Sequence, residues 1–342
     1  IYQNLTVEKL LIHPDDPNTI FCAVNNGLYR SYDGADTWEQ ILTGHIDDLE
    51  FKPGDPNTIY AITNKFFKSS DGGDSFTQIY DGLPTSNGRA QIAVTEAAPE
   101  YVYFLCAGPG GLFGGFYKST DSGDSFELQA DSPQMFGYSP QGNDNSSQSG
   151  YDLALAASHV DPEEVHLLGI ITWRSFDGGV NWVATTEWSF PNNTGYTHCD
   201  MHWAHFEGGT LYVGSDGLVS KSEDSGETWT DLTTGIGVRQ FYRIGGSKNH
   251  PYKLMGGSQD NGTSVHTTDY WHEWLGADGM ECLVDYSNPN IVYGTSQNGS
   301  FYKSTNGGMN QTNITQPGGG AWVTPFVIHP TDPLTIFVGN NS

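Results

Sequence analysis

The chain has 342 residues, with 14 Lys and Arg against 40 Asp and Glu and a formal net charge of −26. That balance argues against nucleic acid or an anionic membrane as a partner, because both are met through a basic face. No apolar run has the length of a transmembrane helix, so no membrane insertion is expected; the acidity suits cations or uncharged ligands such as glycans.

Strand-like runs start at the N-terminus. Leu10-Leu-Ile-His13 ends in Pro14, Thr19-Ile-Phe-Cys-Ala-Val24 follows, and an Asn/Gly turn leads into Gly27-Leu-Tyr-Arg30. Short apolar runs between Gly, Asn, Asp and Pro clusters read as antiparallel strands. A phrase then closes the unit: Ser31-Tyr-Asp33-Gly-Ala-Asp-Thr-Trp38. It returns around Asp71, Asp121, Asp177 and Asp224, and in degraded form around Asp269 and Asn306, at a period of about 45 residues that marks a repeat architecture. Units start near 7, 46, 88, 150, 198, 238 and 279, with a half unit at 321–342 and a Gly/Ser/Asn-rich insertion at about 131–150. Four strands per unit, stacked because one sheet cannot bury both its faces, give an all-β propeller of seven to eight four-stranded blades across 1–342. The chain stops half-way through a unit, so it is expected to be part of a longer polypeptide. Cys22, Cys106, Cys199 and Cys282 lie in different units and read as buried thiols. The sequons Asn4-Leu-Thr6 and Asn313-Ile-Thr315 matter only if the host glycosylates them.

The phrase Ser-x-Asp-x-Gly-x-Thr-Trp resembles the Asp-box, or BNR repeat. That repeat occurs in sialidases, xyloglucanase-type glycoside hydrolases, sortilin-type receptor domains and many secreted bacterial propellers. The resemblance implies that each box lies on the outer turn between third and fourth strands, away from the binding face. The stretch from His198 through Phe241-Tyr-Arg243 to Gln259-Asp-Asn-Gly262 also resembles a pattern in large secreted bacterial propellers labelled glycosyl-hydrolase-like or sortilin-like. It implies a secreted, extracellular or cell-surface location and covalently linked further domains.

Function in such a fold sits where loops from several blades converge. Aligning the first strands places Lys9, Asp48, Gln91, Asp152, Asp200 and Glu281, with Phe241, at the funnel mouth. The densest cluster is Thr197-His198-Cys-Asp200-Met-His202. Strand alternation would point His198, Asp200 and His202 one way, as ligands for a divalent cation. Gln148 and Tyr151 open the fourth unit, Asp216 lies in the fifth, and Gln259, Asp260 and Asn261 in the sixth. The expected ligand-binding set is therefore Asp200, His202, Asp216, Gln259, Asp260 and Asn261.

Two functions follow. The leading expectation is a non-catalytic extracellular module binding a glycan or an extracellular protein, or serving as a scaffold. The alternative is an Asp-box glycoside hydrolase drawing its paired carboxylates from Asp152, Asp200, Asp216 and Asp260. A sialidase needs three clamping arginines. Arg30 and Arg174 directly precede boxes, and Tyr242-Arg243-Ile244-Gly245 departs from the sialidase Tyr/Phe-Arg-Ile-Pro motif.

Overall fold

Each expected apolar run is a strand in the computed structural model, which describes residues 5–190, 192–193, 195–237 and 239–340. Asn4 of the first sequon, Val238 at the expected start of the sixth unit and the last two residues of the half unit lie outside the described residues. The chain divides into two compact units, 1–234 and 235–342.

The first unit holds five antiparallel four-stranded meanders. The first comprises β1 (Val7–His13), β2 (Asp16–Val24), β3 (Gly27–Ser31) and β4 (Glu39–Thr43). The second is β5 (Asp48–Lys52), β6 (Asp55–Ile62), β7 (Phe66–Ser69) and β8 (Thr77–Ile79). The third is β9 (Ala90–Val94), β10 (Val102–Ala107), β11 (Phe113–Ser119) and β12 (Glu127–Ala130). The fourth is β13 (Ala154–Ala157), β14 (Val165–Leu168), β15 (Thr172–Ser175) and β16 (Val183–Ala184). The fifth is β17 (Met201–Glu207), β18 (Thr210–Ser215), β19 (Val219–Ser222) and β20 (Thr230–Asp231).

The second unit continues the pattern. One sheet is β21 (Phe241–Gly246), β22 (Leu254–Ser258), β23 (Thr263–His266) and β24 (Trp271–Leu275). The next is β25 (Gly279–Val284), β26 (Val292–Ser296), β27 (Phe301–Ser304) and β28 (Thr312–Asn313). A two-stranded sheet, β29 (Phe326–Ile328) with β30 (Ile336–Val338), stands where the half unit was expected. No helix among the described residues is long and apolar enough to cross a membrane.

Sheets bury their faces against their neighbours, as repeat stacking requires. Phe21, Leu28, Leu49 and Ile59 fill the space between the first two sheets. Tyr60, Phe66, Phe104 and Phe126 fill the next, and Tyr103, Phe116, Leu155 and Trp173 the third. In the second unit Met255, Val265, Trp274 and Cys282 do the same. All four cysteines are free thiols; three are buried and Cys199 is half-buried.

The recurrent phrase is a self-bonded turn between third and fourth strands. In the second sheet the Ser69 hydroxyl donates to Asp71 Oδ1 at 2.7 Å and accepts the Gly73 N–H at 2.9 Å. Asp71 also accepts the Ser75 N–H at 2.9 Å and its hydroxyl at 2.6 Å. The same set recurs around Asp33, Asp121, Asp177 and Asp224. Side-chain bonds from Thr37 and Ser75 hold Asp33 and Asp71 down at about 2. Glycine is required here for two reasons. Gly179 has φ +96°, and a Cβ there would lie 2.2 Å from the Phe116 ring of the preceding sheet. Cations clasp two of these turns to the sheet before them: Arg30 reaches Gly72 O and Asp74, and Arg174 reaches Ser225 O and Glu227. Arg30 and Arg174 are thus committed to structure, as their position before boxes suggested. Ser69 is 1% exposed, so Ser69→Ala strands the buried Gly73 N–H. A stability loss of about 1–3 kcal/mol is expected in a denaturant titration, with an unchanged m-value.

Candidate functional site

The loops that enter the first strands of the first unit form an open cavity of about 680 Å³. Its wall includes Glu8, His45, Asp47, Asn64, Asn87, Arg89, Tyr151 and His202. Five sheets thus supply side chains to one place, through the segments leading into or opening β1, β5, β9, β13 and β17 and the β6–β7 turn.

On one side stands Asp47, just before β5. Burial pushes its carboxyl up to about 6; His45, the Ala90 N–H and Arg89 restrain the rise, and Glu8 adds to it. Ala90 N donates to Asp47 Oδ2 at 3.2 Å, and His45 Nε2 lies 3.9 Å from Oδ1 and 3.4 Å from Glu8. Arg89 donates to the Tyr151 carbonyl at 2.8 Å. The sequence alignment chose Asp48, one residue later. That carboxylate is 3% exposed and engaged by Lys9 Nζ (2.7 Å), its own strand's Leu49 N–H and the Ile92 N–H. Lys9 also holds Glu50 at 2.6 Å. Of the residues expected at the funnel mouth, Lys9 and Asp48 thus form a cation-centred clasp with Glu50. In the second unit Glu281 faces Arg243 at 3.5 Å.

On the other side His202 and Tyr151 converge on Asp216. His202 Nε2 lies 2.8 Å from Asp216 Oδ1, and the Tyr151 hydroxyl donates to Oδ2 at 2.8 Å. The Tyr151 and His202 rings meet edge to face at 4.9 Å. Burial raises Asp216, but the bonds from His202 and Tyr151 outweigh it and leave the carboxyl below its ordinary range. An ionised carboxylate only accepts, so His202 Nε2 is the donor in this pair. The local backbone makes this pairing. The β17–β18 register shifts between Met201 and Trp203, which leaves His202 in a bulge that re-aims its side chain.

Asp152 and Asp200 form a buried pair. Asp152 is 2% exposed and neither of its oxygens accepts a hydrogen bond from a donor among the described residues. Burial, then the neighbouring Asp200 charge, pushes it up to about 8. Asp200 accepts from Gln148 Nε2 at 3.2 Å and from the Cys199 thiol at 3.3 Å. With donors on Asp200 and none on Asp152 among the described residues, the proton is favoured on Asp152.

The cation expectation is corrected. His198 and Asp200 precede β17, and Asp200 has φ +60°, so strand alternation does not reach them. His198 Nδ1 donates to the Cys199 carbonyl at 3.0 Å, Asp200 turns to Gln148, and His202 pairs with Asp216. No three His, Cys, Asp or Glu among the described residues converge as metal ligands. The His198 ring lies where a Cβ on Gly217 would be, 2.0 Å from its Cδ2, so glycine at 217 seats this histidine.

Gln259, Asp260 and Asn261 belong to the second unit and shape a turn there. Asp260, at φ +55°, donates its N–H to Asp278 Oδ1 at 2.9 Å. Arg239 donates to the Asn261 carbonyl at 2.7 Å, and Tyr242 donates to Gln259 Oε1 at 3.3 Å while accepting from Trp322 Nε1 at 3.2 Å. Of the six expected ligand residues, Asp200, His202 and Asp216 sit together in the first unit. The sequence reading missed Asp47 and His45; the Asp47-Asp48 pair at a strand start was the signal.

No family profile matches the chain. A curated relative, the xyloglucanase of Hypocrea jecorina (strain QM6a), is 23% identical over 287 residues, 70% of this chain and 34% of the relative. The chain thus spans about a third of that relative's length. Among solved structures, the GH74 xyloglucanase of Xanthomonas campestris aligns with a TM-score of 0.64 and 16% identity, over 94% of this chain and 54% of that one. PorZ, a surface component of the type-IX secretion system of Porphyromonas gingivalis, aligns with a TM-score of 0.50 and 14% identity, over 98% and 47%. The expectation of a purely non-catalytic module is corrected by the curated relative, which is a xyloglucanase. The chain has an all-β, multi-blade propeller fold similar to that of the X. campestris structure.

Proposed function

We propose that the chain is the propeller part of a glycoside hydrolase that cuts an uncharged polysaccharide in the cavity of the first unit. The observation that carries this is the split between Asp47 on the cavity wall, pushed up to about 6, and Asp216, bonded to the wall residues His202 and Tyr151 and held below its ordinary range. Environments that drive two titratable groups apart assign an acid and its counterpart. Asp47, protonated, gives its proton to the glycosidic oxygen as the bond to the anomeric carbon breaks. Asp216 and its two donors present negative charge to the positive charge that develops at that carbon. His202, oriented through Nε2, takes at Nδ1 the proton of the water whose oxygen bonds to the anomeric carbon. Glu8 and Asp47 on the wall, with Asp216 behind His202, against Arg89 as the one Lys or Arg of the wall among the described residues, make the site unwelcoming to anionic sugars. A polymeric substrate places the action at or beyond the cell surface, in keeping with the acidic composition and the Asp-box resemblance.

The test is release of reducing ends from soluble xyloglucan and from unsubstituted β-glucans by the purified chain. Release expected from the wild type disappears in Asp216→Asn. Absence of release from every neutral polysaccharide, by this chain and by a longer form carrying it, sinks the reading.

A further inference from the structure

A second cavity, of about 590 Å³, opens in the first unit between the 131–150 insertion and the edge of the fourth sheet. It is separate from the Asp47 cavity and shares no wall residue with it. Pro133, Trp182, Phe190 and Tyr196 supply flat apolar surface, with Trp173 beneath them, and Glu187 is the one charged residue of its wall among the described residues. Trp173 is 2% exposed, and its indole Nε1–H has no acceptor among the described residues. A buried donor left without a partner is costly in a native protein and points to something that satisfies it.

The two loops that wall this cavity also lead to the carboxyls. Tyr138 and Trp188 stack edge to face at 5.6 Å, 40% and 49% exposed. The Tyr138 hydroxyl accepts from Gln148 Nε2 at 3.3 Å, and the same Nε2 reaches Asp200. Phe190, 52% exposed, carries the aromatic line from Trp188 into the cavity. Aromatic faces with scattered hydroxyl and amide partners, no cation and one acid fit a pyranose ring, whose C–H face stacks and whose hydroxyls accept and donate.

We propose that this cavity binds a sugar unit of a neutral polysaccharide at a distance from the point of cleavage, with Tyr138 and Trp188 guiding the chain between the two places. The choice of a glycan over a proline-rich peptide rests on the glycoside-hydrolase reading and on the continuity with Gln148 and Asp200.

The test is isothermal titration calorimetry of the full chain with soluble xyloglucan and with polygalacturonate, in the wild type, Trp188→Ala and Phe190→Ala. Both replaced side chains are half-exposed, and unchanged melting temperatures establish that the variants fold. Xyloglucan is expected to bind the wild type and each variant about tenfold more weakly, the value of about 1.4 kcal/mol; polygalacturonate is expected not to bind. Cleavage of a short aryl β-glucoside should be the same in all three. Equal xyloglucan affinity in wild type and variants overturns the proposal, as does binding of a polyproline peptide alone at this cavity. Weakened binding in the variants with no cleavage by any form leaves the sugar site standing and removes the hydrolase reading. Asp47-dependent cleavage with binding indifferent to Trp188 and Phe190 does the reverse.

Discussion

Replacing Asp47 by Asn is expected to lower kcat/KM for glycan hydrolysis by about 10²–10⁴-fold, the usual worth of a positioned general acid. The side chain keeps its size and still accepts the Ala90 N–H through its amide oxygen, so the melting temperature should hold. The wild-type pH profile supplies a second readout. Asp47 titrates at about 6, so kcat/KM falls as pH rises through that value and the acid loses its proton. Asp216 sits below the ordinary carboxyl range, so it stays charged while Asp47 holds its proton. In Asp47→Asn the alkaline limb near pH 6 should vanish with the rate. A variant that retains full activity, or keeps that limb, assigns the proton to another group.

The buried Asp152–Asp200 pair yields the largest expected effect on stability. Asp152 binds its proton up to about pH 8 in the folded chain, against about 3.9 when unfolded. The folded state therefore holds more protons across that window. The stabilisation is complete below the unfolded value and is lost as pH rises through the folded one. Each pH unit in the window costs about 1.4 kcal/mol. Asp152→Asn stays neutral throughout, and its amide donates to Asp200. It should melt higher than the wild type at pH 8–9, with the two converging near pH 4. Melting curves from pH 4 to 9 check this; parallel curves for the two proteins would show that Asp152 is charged when folded. Asp33 and Asp71 act in the opposite sense. Held at about 2 by their turn hydrogen bonds, they support the fold above the unfolded value, and that support fades as pH drops toward 2.

The repeat was legible because its physics is local. Short apolar runs broken by Gly and Pro make strands wherever they stand, and Ser69, Asp71, Gly73 and Ser75 close their turn with bonds inside seven residues. The site was legible only in part. Tyr151 and His202 drew attention as polar residues at strand entries and Asp216 in a downstream loop, and they converge. Asp47 was missed because a one-residue slip in register exchanges the faces of a strand. At the start of β5 that slip swaps an engaged carboxylate, Asp48, for one on the cavity wall. The cation set failed because alternation was carried through Asp200, whose left-handed backbone breaks it, and through the bulge at His202. Neither feature has a sequence mark: an aspartate at positive φ looks like any other, and a bulge depends on the partner strand. The pairing of Asp152 with Asp200 joins residues 48 apart, contributed by segments entering two neighbouring sheets, and only the fold brings them together.

The most direct measurement is a carboxyl-carbon NMR titration of the full chain, with the Asp47 and Asp216 signals assigned through their Asn variants. Midpoints near 6 for Asp47 and below the ordinary range for Asp216 are predicted, with the two shifting each other when a neutral oligosaccharide is added. Two midpoints at the unperturbed aspartate value, indifferent to sugar, would contradict the assignment of acid and counter-charge on which the catalytic reading stands.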